Sequence, residues 1–323
     1  MDAKRQGKSN GLPPAFTHTV QCGCDLGSFH PLRYFRHLAL KPNISCSLGK
    51  AWKEHCSVPK HGEDVYRQVL SSSTESRNTS DSHRQIQLDL GRTYPDEAYF
   101  GEGRPGRAAL ERVLVGFSKY DPQLGYVQGM NFIAGALLWH CSEPDAFWLF
   151  VSLMEDFNLR ENYMASLPGL SKHCQIISLL LMEYLPRLHL HFSEHRVIAE
   201  MFATDWCLTL FGSLVPVQDM GQFLGRFLGD GWAFFYKVVV EILRRLEERL
   251  LKCRDVADIL TPLKPVHRSQ KHWREFLVLL EQGSEQLDWQ QIFQQSESLQ
   301  LDSASIGQLL TSFGVDRAVY TQP

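Results

Sequence analysis

Two short polar stretches hold the side chains with the most chemistry to offer. The first reads Ile86-x-x-Asp89-x-x-Arg92. The second reads Gly125-Tyr126-Val127-Gln128-Gly129-Met130-Asn131, and an apolar run begins at once behind it. A guanidinium spreads its charge over a planar fork that can bridge two oxygens, and a carboxamide offers a donor and an acceptor to one water molecule. Stabilising developing charge and orienting a water are the two demands of phosphoryl transfer to water. Each stretch also has a plainer reading. Asp89 and Arg92, three residues apart, are helix-surface neighbours that form ordinary ion pairs. Gln128 stands between glycines ahead of a buried segment, where turn residues are common, and Asn131 is a natural cap or turn residue.

The elements that must position these groups are helices. Leu110, Val113, Leu114 and Phe117 fall on one helix face. Phe132 to Cys141 and Ala146 to Met154 are apolar nearly all round, which predicts two buried helices. Ser142-Glu143-Pro144-Asp145 between them supplies a cap and a proline for the first turn of the second. Cys174, Ile177, Leu181, Tyr184 and Leu185 make another face, which Pro186 ends or kinks. The longest stripe is Phe235, Val239, Ile242, Leu243, Leu246 and Leu250, with Arg244, Arg245, Glu247, Glu248 and Arg249 expected on its wet side. Trp273, Phe276, Leu277 and Leu280 suggest one more helix. Alternating strand patterns and internal repeats are absent, so the expected fold is all-α. Residues 1–43 read as a weakly structured extension. Ser71 to His83, almost without apolar residues, reads as a mobile loop, and Gln282 to Gln300 reads as partly loose.

Bulk properties exclude several classes. The 323 residues carry a net charge of −3 at a pI of about 6.5, which gives no electrostatic footprint for nucleic acid or a membrane surface. No apolar run approaches the roughly 18–20 residues needed to span a bilayer, and the polar N-terminus has no secretory pattern. A reduced cytoplasmic setting is therefore expected for the eight scattered cysteines, and the sequon Asn78-Thr79-Ser80 reads as ordinary polar surface. His18, Cys22, Cys24 and His30 match no well-formed zinc spacing, so no metal site is expected. Gly101 to Gly106 lacks the ending of a phosphate loop, and there is no nucleophile elbow.

Taken together, the two leading stretches resemble the TBC-domain family of Rab GTPase-activating proteins. Gln85 to Pro95 is similar to the family's I-x-x-D-x-x-R with its aromatic–proline tail. Gly125 to Ala134 is similar to its Y-x-Q-G segment. Asp205-Trp206-Cys207-Leu208-Thr209-Leu210-Phe211 with Leu214-Val215-Pro216 resembles its W-x-L-T-L-F…L-P block. The resemblance implies a bilobal helical domain over residues 44–265, with residues 266–323 as a helical segment that could complete the second lobe. It implies a GTPase activator rather than an enzyme in its own right, acting on a GTP-bound Rab-family GTPase and so regulating vesicle trafficking. In that role Arg92 is the arginine finger and Gln128 the glutamine finger. Asp89, Tyr126, Gly129 and Asn131 support them. No cofactor of its own is implied, because GTP and Mg²⁺ come with the partner, and membrane association would be peripheral, through that partner. The sequence departs from the family at Leu48, where Leu48-Gly49-Lys50-Ala51-Trp52 has leucine for arginine, and at Gln222-Phe223-Leu224-Gly225, which lies over R-I-W-D. These departures motivate an alternative, a module that binds a GTPase or scaffold without stimulating hydrolysis.

Overall fold

A computed structural model of the chain describes residues 47–72, 77–264, 278 and 288–313. Every regular element among them is helical. The first six helices are α1 (Ser47–Glu54), α2 (Gly62–Ser71), α3 (Arg77–Leu90), α4 (Pro105–Tyr120), α5 (Met130–His140) and α6 (Glu143–Glu155). They are followed by α7 (Pro168–Tyr184), α8 (Pro186–Glu194), α9 (Glu200–Thr209), α10 (Val217–Asp230), α11 (Trp232–Leu250) and α12 (Val256–Leu263). After the undescribed segment come α13 (Trp289–Glu297) and α14 (Ser303–Ser312).

Helix α5 lies at the centre because its sequence gives it no wet face: Met130, Ile133, Ala134, Ala136, Leu137 and Leu138 are all buried. It packs on α4, α6 and α10, with smaller contacts to α9, α1 and α3. Ser142 caps α6, its Oγ accepting from the Asp145 N–H at 3.4 Å. Pro186 separates α7 from α8, since it lacks the N–H that a continuous helix would need. The α4 face Leu110, Val113, Leu114 and Phe117 is buried as its spacing predicts.

Two expectations are corrected. The Ser71–His83 stretch is helical from Arg77 onward. Its polar side chains misled because only Ser82 and Ile86 of α3's middle turns face the core, and a helix with one narrow buried edge needs few apolar residues. Arg245 is not on the wet side of α11. It is largely buried, pairs with Glu241 at 2.7 Å and reaches Gln295 of α13, which covers that flank. The described part of the Gln282–Gln300 stretch holds α13, started by a capping box between Asp288 and Gln291 and anchored by buried Trp289, Ile292 and Phe293; residues 282–287 lie outside the described residues. The extension 1–43, with its histidine and cysteine cluster, and the helix expected around Trp273 to Leu280 lie outside the described residues apart from Val278.

Candidate functional site

The two candidate groups stand on neighbouring turns. Helix α3 ends at Leu90, and Arg92 follows in the turn, where its backbone N–H donates to the Asp89 carbonyl at 3.1 Å. A cation just past a helix C-terminus suits the negative end of the helix dipole. Gln128 lies in the turn before α5 and is exposed. Between them sits the Asp89 carboxylate, with only 1% of the residue exposed.

A buried carboxylate is costly unless both oxygens are satisfied, and here they are. Oδ1 meets Nη2 of Arg92 at 2.8 Å and accepts from Gln85 Nε2 at 3.2 Å. Oδ2 accepts from the Tyr126 hydroxyl at 2.6 Å. Burial first, and then the Asp89 carboxylate, push the Tyr126 phenol far above its ordinary range, so it stays protonated as a donor. Asn131 continues the network: its Oδ1 accepts from the Gly129 N–H at 3.1 Å and lies 3.1 Å from the Tyr126 hydroxyl. Its Nδ2 donates to Thr93 Oγ1 at 2.8 Å, and Thr93 donates to the Asp89 carbonyl at 2.8 Å. The turn carrying Arg92 and the turn carrying Gln128 are thus parts of one closed, buried hydrogen-bond network. Arg92 itself remains 44% exposed at the side chain, held at one nitrogen.

The backbone of the second turn needs its glycines. Gly129 has φ +108°, and a Cβ there would lie 2.8 Å from the Leu208 carbonyl oxygen. That carbonyl also accepts from the Tyr163 hydroxyl at 2.5 Å. Tyr126 N–H donates to Ser82 Oγ at 2.9 Å, which ties the start of the turn back to α3. On the other side Tyr94, at φ +45°, donates its hydroxyl to the Phe132 carbonyl at 3.0 Å and clamps the Arg92 turn on α5. Sequence reasoning named Asp89, Tyr126, Gly129 and Asn131, and the structure brings all four together with Arg92 and the Gln128 turn. It passed over Ser82, Thr93, Tyr163 and Leu208. Thr93, adjacent to Arg92, was findable as a buried hydroxyl beside a buried acid; Ser82 was hidden in a stretch that reads as loop.

Arg92 and Gln128 are both exposed at the surface. A cavity of about 780 Å³ opens elsewhere, lined by His55, Lys172, His173, Asp230 and Trp232 among others, and none of Asp89, Arg92, Tyr126, Gln128 and Asn131 borders it. Among the described residues no cluster of His, Cys, Asp and Glu could hold a metal ion. An exposed arginine and an exposed glutamine on a fixed base can act on a group that another molecule carries to them.

Comparison with known proteins gives the same direction. The sequence model of the Rab-GTPase-TBC domain family matches residues 47–251. This chain belongs to that family. It is similar to the Rab GTPase-activating protein eat-17 of Caenorhabditis elegans, 32% identical over 60% of this chain and 23% of the relative. It is 30% identical to mouse TBC1 domain family member 4 over 71% of this chain and 18% of that protein. The chain thus matches about a fifth of the length of these curated relatives. Among solved structures it resembles the Chlamydomonas flagellar RabGAP TBC domain, with a TM-score of 0.53 at 29% identity, covering 66% of this chain and 69% of that one. The Ypt/Rab-GAP domain of Gyp1p matches in fold at a TM-score of 0.55 and 20% identity, over 76% and 81% of the two chains.

The departures from the TBC pattern at Gln222 and Gly225 lie away from Arg92 and Gln128. Gly225 on α10 faces Trp52 of α1, and a Cβ there would lie 3.4 Å from the indole Nε1. That nitrogen is buried without a hydrogen-bond partner. Gln222 is engaged by Arg226, whose Nη1 donates to its Oε1 at 2.8 Å, and Arg226 also pairs with Glu297 of α13 at 2.6 Å. Gly225 and Gln222 thus sit where α10 meets α1 and α13, and neither takes part in the Asp89 network.

Proposed function

We propose that this protein is a GTPase activator for a Rab-family GTPase in its GTP-bound state. In this reading Arg92 supplies positive charge to the transferring phosphoryl group, and Gln128 orients the attacking water. The observation that carries the reading is the joining of both turns by the buried Asp89–Tyr126–Asn131 network within a Rab-GTPase-TBC family domain. The side chains that would act are exposed, while Asp89, Tyr126 and Asn131, which tie their turns together, are buried. Preorganisation of this kind removes the cost of ordering the groups at the moment of reaction. A guanidinium supplied in trans is worth about 10³–10⁵ in rate, or about 4–7 kcal/mol of barrier. Lysine would serve poorly at position 92, because an ammonium cannot bridge two oxygens.

The nucleotide and its Mg²⁺ arrive with the partner, and the protein needs no cofactor of its own. It acts in the cytoplasm and meets vesicle or organelle membranes through the membrane-bound GTPase; no helix among the described residues is long and apolar enough to cross a membrane. The test is GTP hydrolysis by a panel of purified Rabs with wild-type protein and with Arg92→Ala. Acceleration of one or a few Rabs, reduced at least about a thousandfold by Arg92→Ala, is the expected result. State-dependent binding of a Rab with no acceleration by the folded wild type would favour a binding-only module instead.

A further inference from the structure

We propose that Arg107 is a second cation of the GTPase-facing surface, a docking residue that pairs with an acidic side chain of the partner beside its nucleotide. The inference rests on the Rab-activator reading above and names a determinant of the same site.

Arg107 lies in the first turn of α4. Its Nη2 comes to 4.0 Å from where a Cβ would stand on Gly91, the residue immediately before Arg92. Gly91 is exposed, so this second guanidinium borders the Arg92 turn at the surface rather than beneath it. Arg107 is half-buried and has no carboxylate partner among the described residues. The acid one helical turn further on, Glu111, is turned the other way: its Oε1 accepts from Gln87 at 2.6 Å, with His83 at 4.0 Å. The neighbouring N-cap of α4 is Arg104, and the first turn of the helix holds no acidic residue. Helix N-termini favour anions, so two arginines there oppose local stability. Arg92 has Asp89; Arg104 and Arg107 have no carboxylate opposite them among the described residues. Unpaired positive charge beside a catalytic group is matched by negative charge on the molecule that docks there. Rim pairs of this sort govern association rate and salt dependence more than the chemical step. Arg92, anchored by Asp89, is the cation placed for the phosphate, which leaves Arg107 to a carboxylate at the rim.

The test is the kcat and KM of stimulated hydrolysis on a responding Rab, at low and high salt, for wild type, Arg107→Gln and Arg107→Lys. The charge-matched control is Arg187→Gln, which removes an exposed arginine from α8 that pairs with Glu248 of α11 at 3.0 Å. Matching thermal melts establish that each variant is folded. Arg107→Gln is expected to raise KM several-fold and to weaken the salt dependence, with the loss in KM rather than kcat. Arg107→Lys should recover most of it, since a rim carboxylate accepts an ammonium. An Arg107→Gln protein indistinguishable from Arg187→Gln overturns the proposal. So does a fall in kcat at unchanged KM, which would put Arg107 on the phosphate. If wild type accelerates no Rab, the activator reading fails and takes this inference with it, whereas a responding wild type with an unaffected Arg107→Gln removes the inference alone.

Discussion

Asp89 is the residue through which the two candidate fingers are coupled. Its carboxylate is buried and would be an expensive ion, yet Arg92, Gln85 and Tyr126 between them satisfy both oxygens. The Tyr126 hydroxyl is the link by which the Asp89 carboxylate itself reaches the second turn, beside the Thr93–Asn131 bond, so its removal tests the carboxylate's part. Tyr126→Phe leaves Asp89 Oδ2 without its short bond, and an unsatisfied buried acceptor costs about 1–3 kcal/mol. Urea denaturation should show a loss of that size, with reduced stimulated hydrolysis as Arg92 loosens; a loss under about 0.5 kcal/mol would contradict the network's role. The identities of these residues were legible in the sequence because each falls in a short motif. Their contacts were not, since Tyr126 and Asp89 are 37 residues apart and meet only through the packing of α3 beside α5. Ser82 was illegible for the opposite reason: a lone serine among polar residues gives no sign that its hydroxyl holds the Tyr126 backbone.

At the scale of elements, helix types followed from periodicity wherever a helix buries a broad face, as α4, α5, α6 and α11 do. They were missed where the buried edge is narrow. Among its described side chains the first half of α3 shows only Ser82 to the core, and α13, inside a segment expected to be helical but partly loose, hides Trp289, Ile292 and Phe293 among glutamines. Tertiary packing, not local composition, makes both helical. The α1–α10 contact offers a direct test of the departures from the family. Gly225 sits inside α10, where glycine costs about 1 kcal/mol relative to alanine and serine about half that. It also leaves the Trp52 indole N–H buried and unpartnered. A serine hydroxyl at 225 can accept from that N–H, worth about 1 kcal/mol. Gly225→Ser is therefore expected to equal or exceed Gly225→Ala in the denaturant midpoint, both above wild type. Serine trailing alanine by the propensity difference would show that the indole is not reached.

Across the whole molecule, two buried histidines set the response to acid. Burial holds the His140 pKa down at about 4 and that of His173 at about 3, with Lys172 adding to the second. His173 stacks on Trp232 with ring centres 3.6 Å apart and meets the Tyr236 hydroxyl at 2.6 Å. Both pKa values are depressed below that of an unfolded histidine, so the unfolded state binds more protons. Their stabilisation is complete above about pH 6.5 and is lost as pH falls toward 4. Asp219, pushed up to about 6 by burial and then Asp288, runs the opposite way and offsets one histidine between about 6 and 4. The expected net loss from pH 7.5 to 5 is about 2–3 kcal/mol by urea denaturation; a flat profile would mean the histidines are not neutral in the fold. Such a reserve of buried groups is consistent with a rigid platform whose working parts are two exposed side chains. The most direct test of that account is single-turnover hydrolysis by a responding Rab whose own water-orienting glutamine has been replaced by leucine. If Gln128 orients the water, wild-type protein still accelerates this Rab and Gln128→Ala does not. Loss of acceleration on the glutamine-less Rab, with Gln128→Ala fully active on the unaltered one, would contradict the account.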